Sequence, residues 1–258
     1  MKNKKTTAII LAAGAGRRMQ SSIAKQYLLL GGKPILYYSL KAFEESTVDE
    51  IILVVGENDI NYCKVNIVEE YNFKKVVQIV EGGKERYHSV YNGLKNISSA
   101  DQVLIHDGAR PFVTVDIIEN AVYNLQFSDA CVVGVPMKDT IKLVSKDGIV
   151  QETPDRDRVW SVQTPQAFSY DIIMKAYCMI MDEKAYTREK ASKPDAIKDK
   201  PIEDRHNESG EIHITDDAMV VEYSLSYPVK MIMGNYSNIK ITTPEDILIG
   251  EALLKGTI

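Results

Sequence analysis

The sequence predicts an α/β protein: a mostly parallel sheet with helices on both faces and a protruding β-hairpin arm. Two observations carry this. Short apolar runs alternate with helix-period segments through the first half of the chain, the pattern of parallel strands buried on both faces. Later, Asp147-Gly148 separates two polar alternating runs, a strong hairpin signal.

Thr7–Leu11 reads as a buried first strand. Lys33-Pro34 starts a helix, with Leu36, Leu40 and Phe43 on one face and Pro34 in the first turn. Glu50–Val55 is the second strand, and Asn58 caps a helix through about Glu70. Val76–Val80 is the third strand, followed by Gly82-Gly83 and a helix from about Glu85 to Leu94. Gln102–His106 is the fourth, then come a helix from about Val115 to Phe127 and the strand Ala130–Val135. The runs Asp139–Val144 and Gly148–Thr153 form the hairpin. They are too polar to be core on both faces, so an arm over about 138–160 packs on something else, a second subunit first. A helix spans about Tyr170–Met181. The segment 182–211 has 16 charged residues among 30 and reads as a solvated insertion. Thr215 caps a helix running through Glu222, Val229–Met233 is a late strand, and Lys240 stands near the end of another. Thr243 caps a terminal helix from Pro244. One domain over 1–258 accommodates all of this.

Composition excludes several classes. Hydrophobic residues at 45% and charged residues at 26% are ordinary for a globular protein. The net charge of 31 − 36 = −5 carries no global basic field, so nucleic acid is not expected and any polyanion site is local. Cys63, Cys131 and Cys178 lack metal-like spacing, sit in apolar or helical contexts and read as buried reduced thiols. The apolar run behind basic Met1–Lys5 is one strand long, neither signal peptide nor membrane span, and the cytoplasm is the default.

The chemistry gathers after the first strand, in Leu11–Met19 and Lys25-Gln26-Tyr27. Ala12, Ala13, Gly14 and Gly16 keep side chains clear, so backbone N–H groups can approach a phosphate chain. Arg17, Arg18 and Lys25 supply the positive charge that a triphosphate requires. Arg17-Arg18 stand where the Walker pattern needs Gly-Lys-Ser/Thr, and Met19 replaces the third glycine of a dinucleotide fingerprint. A tight turn with solvated arginines competes with this reading. Ligands of such sheets gather beyond the carboxyl ends of the strands, which brings Gly82-Gly83, His106-Asp107 and Pro136 to the same edge. Asp107 suits Mg²⁺, which takes one or two carboxylates plus phosphate oxygens, or else it caps a turn. Gly83 and Ser89 fit a base or ribose edge, or an ordinary capped turn. His106 fits a general acid–base role or, better, a structural imidazole. Lys240 is a phosphate cation or an amphipathic edge lysine.

An ordered set of segments resembles one family. It comprises Leu11–Met19, Lys25-Gln26-Tyr27, Gly82-Gly83 with Glu85-Arg86 and Ser89-Val90, His106–Pro111, Val135-Pro136 with Asp139–Lys142, Trp160 with Gln163–Gln166, Thr215–Ala218, Asn238–Lys240 and Thr243–Asp246. In this order they resemble the 2-C-methyl-D-erythritol 4-phosphate cytidylyltransferases, over residues about 6 to 254 apart from the charged insertion. The resemblance implies a Rossmann-like nucleotidyltransferase fold, a homodimer joined through the arm, and Mg²⁺-dependent condensation of CTP with the polyol phosphate. Carried over, Arg18 and Lys25 would bind the triphosphate and stabilise charge at the α-phosphate. Asp107 would hold the metal, and Ala12, Ala13, Gly14, Gly83 and Ser89 would contact the nucleotide. Arg110, Thr140, Thr164 and Lys240 would line the sugar-phosphate site, Lys240 also counting among the catalytic cations. Arg156, on the arm, would reach the substrate of the other subunit. Lys84 departs from the acidic residue often found there, and the insertion is longer than usual. Ribitol-5-phosphate cytidylyltransferases share the fold and nucleotide. The segments Asp139–Lys142, Asp155-Arg156 and Gln163–Gln166 favour methylerythritol phosphate, and intact Arg18, Lys25, Asp107 and Lys240 argue against a non-catalytic nucleotide-binding protein.

Overall fold

The computed structural model describes residues 4–14, 23–181 and 214–256. Seven strands form the main sheet. They are β1 (Thr6–Ala12), β4 (Glu50–Val55), β5 (Val76–Glu81), β6 (Gln102–Asp107), β7 (Ala130–Pro136), β10 (Trp160–Ser169) and β11 (Lys230–Met233), in the spatial order β11-β7-β10-β6-β1-β4-β5. All neighbours are parallel except β10, which runs antiparallel to both β6 and β7.

The alternation of side chains along each strand divides the core in two. Ala8, Ile10, Ala12, Ile51, Leu53 and Val55 point to one face. There they meet Leu36, Leu40 and Phe43 of α1 (Ile35–Glu45), Cys63 of α2 (Ile60–Cys63, continued by a π-helical turn through Glu69), and Ile117, Ile118 and Ala121 of α4 (Val115–Asn124). Ile9, Ile52 and Val54 point to the other face. They pack on Val90 and Leu94 of α3 (Arg86–Lys95), Ile173, Ala176 and Tyr177 of α5 (Tyr170–Met181), and Val220 and Val221 of α6 (Asp217–Leu225). Both faces are covered, as expected for a parallel sheet. The last helix, α7 (Pro244–Leu254), starts with the reciprocal capping box of Thr243 and Asp246.

Several expectations need correction. Lys33-Pro34 does not begin α1; it forms β3, paired with β2 (Leu29–Leu30), and Pro34 sits at the N-cap position. Asn58 has left-handed backbone geometry (φ 69°), so Asp59 occupies the N-cap before α2. Asp216 rather than Thr215 caps α6, its carboxylate accepting from the Met219 N–H. In the arm only β8 (Leu143–Val144) and β9 (Val150–Glu152) pair, around a turn in which Gly148 has φ 78°. The Asp139–Lys142 run lies outside that ladder. Lys240 belongs to no strand: an irregular segment carries it, tied down by the Ile241 N–H to the Ala109 carbonyl at 2.8 Å.

The largest omission is β10, a central strand that carries Ser161, Gln163, Thr164, Pro165 and Gln166. Proline normally argues against a central strand. Here the pairing with β7 shifts register between Val162 and Gln166, and Pro165 lies inside that irregularity. Cys63 and Cys131 are buried, but Cys178 is exposed, on the outer side of α5 from buried Ile173, Ala176 and Tyr177. The charged insertion expected at 182–211 lies outside the described residues.

Candidate active site

Three strand ends and one loop return build the site. Ala13 and Gly14 leave the end of β1, Gly82 and Gly83 follow β5, and Asp107 ends β6. These neighbours in the sheet release their chains at the same carboxyl edge. Close approach explains the glycine pair: a Cβ on Gly82 would lie 2.4 Å from the Ala13 Cβ, and one on Gly83 2.3 Å from the His88 Cβ. The buried Ser89 hydroxyl accepts the Gly83 N–H at 3.0 Å and donates to the Glu85 carbonyl at 3.2 Å, fixing the turn into α3.

Lys25 opens a 3₁₀ turn through Tyr27 that both following side chains anchor. Buried Gln26 donates through Nε2 to the Ala12 carbonyl at 2.5 Å, tying the turn to the end of β1. The Tyr27 hydroxyl bonds Asp59 at 3.0 Å and lies 3.1 Å from the Cys63 sulfur. Burial first, then this contact and the Asp59 charge, push the Tyr27 hydroxyl well above its ordinary pKa.

Ala12, Ala13, Gly14, Lys25, Gly83, Ser89, Asp107 and Lys240 thus surround one cleft of about 300 Å³, together with Lys84 and Arg86. A second cleft, of about 410 Å³, is lined by Arg110, Lys138, Asp139, Ser161, Gln163 and Asn238, and again by Lys240. Lys240 is the side chain on which the two clefts meet. Its Nζ lies 2.6 Å from Asp107 Oδ2, while Arg86 Nε lies 3.3 Å from Oδ1. Burial alone would raise the Asp107 pKa, but Arg86, Lys240 and Arg110 outweigh it and hold the carboxyl well below the usual carboxylate range.

Arg110 is pinned by two carbonyls, Asn238 at 2.8 Å and Val162 at 3.2 Å. Its Nε is buried without a partner among the described residues. Thr164 does not line either cleft. It is buried behind them, its hydroxyl accepting the Asp107 N–H at 3.1 Å and lying 2.9 Å from His106 Nδ1. Burial lowers the His106 pKa to about 3, so the ring is neutral near pH 7; fully buried, it lines neither cleft. Thr140 and Arg156 stand exposed on the arm, lining neither cleft; Arg156 Nη1 bonds the Lys138 carbonyl at 3.1 Å. Arg18 lies outside the described residues.

Three contributors escaped sequence reasoning. Gln26 was visible only as part of a motif, and Arg86 only as a residue of the glycine turn. Asp217 was read as a helix-start charge, yet it is fully buried and takes both Nη atoms of Arg86 at 2.8 Å. A buried carboxylate needs a partner, and this one is 131 residues away in sequence.

A small-residue loop, a glycine turn and converging cations at the carboxyl edge of a Rossmann-like sheet define a nucleotidyltransferase. The comparisons narrow that class. The model of the 2-C-methyl-D-erythritol 4-phosphate cytidylyltransferase family matches residues 6–201 and 189–256. The chain is 48% identical to the Lachnoclostridium phytofermentans protein of that name, over 98% of this chain and 97% of the relative. It is 46% identical to the Alkaliphilus oremlandii protein, over 97% and 95%. The crystal structure of 4-diphosphocytidyl-2C-methyl-D-erythritol synthase from Anaerococcus prevotii superimposes with a TM-score of 0.76 at 33% identity, covering 98% of this chain and 96% of that one. The chain belongs to the 2-C-methyl-D-erythritol 4-phosphate cytidylyltransferase family.

Proposed function

We propose that this protein joins CTP to 2-C-methyl-D-erythritol 4-phosphate, giving 4-(cytidine 5'-diphospho)-2-C-methyl-D-erythritol and pyrophosphate in non-mevalonate isoprenoid biosynthesis. The observation that carries the reading is the pair of adjoining clefts with Lys240 at their junction. CTP occupies the first, its phosphates by the backbone of Ala12, Ala13 and Gly14 and its base or ribose edge by Gly83 and Ser89. The polyol phosphate occupies the second, beside Arg110. A phosphate oxygen of the polyol attacks the α-phosphorus in line, and pyrophosphate leaves. Two polyanions must meet for this, so cationic positioning is the main need and no covalent nucleophile is called for. Lys25 and Arg18 hold the triphosphate and stabilise charge growing on the α-phosphoryl oxygens. Lys240 faces both reactants at the point of attack. Thr164 acts from behind, holding the backbone of Asp107.

Asp107 fits a divalent cation on chemical grounds: it is ionised, lines the nucleotide cleft, and would be one carboxylate beside phosphate oxygens and water. Bound there, Mg²⁺ would neutralise phosphate charge and orient the leaving pyrophosphate.

The arm belongs to a homodimer in this reading. Leu143, Val144, Ile149 and Val150 are each more than two-fifths exposed on it, apolar surface that a second subunit would cover. Thr140 and Arg156 would then serve the partner's polyol phosphate. The chain works as one domain in the cytoplasm; among the described residues no helix is long and apolar enough to cross a membrane. Turnover with CTP against methylerythritol phosphate and ribitol 5-phosphate in parallel, followed by pyrophosphate release and product mass, tests the proposal. Preference for ribitol 5-phosphate would overturn it.

A further inference from the structure

We propose that Asp217, anchored by Tyr177, is a positioning residue that keeps the guanidinium fork of Arg86 off Asp107, so that Lys240 is the close partner a divalent cation has to displace there. The inference rests on the reading of Asp107 as the Mg²⁺ ligand.

Asp217 lies on the first turn of α6 with its side chain fully buried. Both its oxygens face Arg86, Oδ1 taking Nη1 and Oδ2 taking Nη2, each at 2.8 Å. Oδ1 also accepts the hydroxyl of buried Tyr177 at 2.6 Å. The backbone around it is fixed from the sheet: Gln166 Oε1 of β10 accepts the N–H groups of Asp217 and Ala218 at 3.0 and 2.9 Å. Both carboxylate oxygens and the backbone N–H of Asp217 are therefore engaged.

The consequence falls on Arg86. Its fork is consumed on the side away from the cleft, and only Nε reaches Asp107, at 3.3 Å. Arginine and carboxylate prefer two parallel bonds, and Asp107 is the second acid already in contact with this guanidinium. Released from Asp217, the fork would turn onto Asp107. A two-point clamp would replace the single 3.3 Å contact of Nε, displace Lys240 from Oδ2 and set a fixed positive charge where the cation must sit. Asp217 prevents that by offering the better-matched partner, and Tyr177 holds Asp217 in register. The three groups come from α3, α5 and α6, so helices on one face of the sheet set the state of a carboxylate at its edge.

Calorimetry of CTP binding to the full-length protein, in EDTA and in saturating Mg²⁺, gives the gain in CTP affinity that the metal confers. Asp107→Asn should abolish this gain. Asp217→Asn should reduce it about tenfold or more, the usual cost of losing a group that supports a metal ligand. Tyr177→Phe should reduce it in the same direction, by less. A role in stability alone would lower the melting temperature and leave the gain untouched in protein that is folded at the assay temperature. If Asp107→Asn loses the gain while folded Asp217→Asn keeps it, the inference is overturned and the metal reading stands. If Asp107→Asn also keeps it, both fall. Should Asp217→Asn fail to fold, Tyr177→Phe decides, and a wild-type gain there overturns the inference.

Discussion

Lys240→Met removes the one residue that, among the described residues, lines both clefts, while keeping most of its aliphatic volume. In the proposed reading the ammonium faces nucleotide and polyol phosphate together, so its charge should matter most when the two are joined and negative charge is spread over the α-phosphoryl group. Losing one such preorganised donor typically costs about 10²–10³ in kcat, or roughly 3–4 kcal/mol. Folding should suffer far less. Asp107 loses its 2.6 Å partner but keeps Arg86, and the Lys240 side chain is 35% exposed, so water already screens the pair. About 1 kcal/mol is the expected loss of stability. Steady-state pyrophosphate release, with CTP and methylerythritol phosphate varied in turn, separates the effects, and urea denaturation reads stability. A kcat within threefold of wild type in a normally folded variant would refute the placement of Lys240 at the point of attack. So would a loss of activity that only follows a comparable loss of stability.

Further outcomes follow from the same geometry. Asp107→Asn should fold and lose most Mg²⁺-dependent turnover, as chelation of the metal should in wild type; full activity in the variant would remove Asp107 from the metal role. If the arm crosses to a partner, Lys25→Ala and Arg156→Ala should each be nearly inactive, yet mixed dimers formed by subunit exchange should recover up to about a quarter of wild-type activity. Half of such dimers are mixed, and each carries one intact site; no recovery after verified exchange would show that Arg156 serves its own chain. The buried His106 has a folded pKa of about 3 against an ordinary 6.5, so the unfolded chain binds the extra proton between those values and stability falls as pH falls through that window. From pH 7 to 5 this amounts to about 2 kcal/mol, measurable by denaturation against pH, and His106→Asn should flatten the slope.

The sheet was largely legible because its signal is local. Ile9-Ile10-Leu11, Ile51–Val55 and Val103-Leu104-Ile105 are apolar on both faces, which only a strand between two helical layers requires. That Asp107, Gly83 and Ser89 would come together at one edge was legible, because strand ends in such sheets share it. β10 was not, since its burial depends on side-chain hydrogen bonds: Gln163 Nε2 donates to the Asn235 carbonyl at 2.8 Å, and Asn238 Nδ2 reaches the Thr164 carbonyl at 3.0 Å. Its polar residues look like a loop until the segment that satisfies them, some seventy residues later, is in place. The position of Lys240 was hidden for the same reason, because Ala109 and Arg110 hold its segment through backbone bonds that no periodicity encodes.

The site also shows why the charges had to be distributed as they are. Arg86, Arg110 and Lys240 all lower the pKa of Asp107, so one carboxylate stands among three cations. Uncompensated, they would repel one another in the absence of substrate. Asp217 takes up Arg86 on the far side, two carbonyls hold Arg110, and Asp107 holds Lys240. Each cation is therefore oriented before any phosphate arrives, and little ordering of these side chains remains to be done when the substrates bind. Lys240 is the exception with freedom to spare: its single acid partner among the described residues sits in the nucleotide cleft, while the residue also borders the second. An incoming phosphate can compete with Asp107 for it, and a cation bound at Asp107 would favour that exchange by taking over the carboxylate. On this argument the metal and Lys240 are coupled through one carboxylate, so the KM for methylerythritol phosphate should fall as Mg²⁺ rises, and Asp107→Asn should make that KM insensitive to the metal.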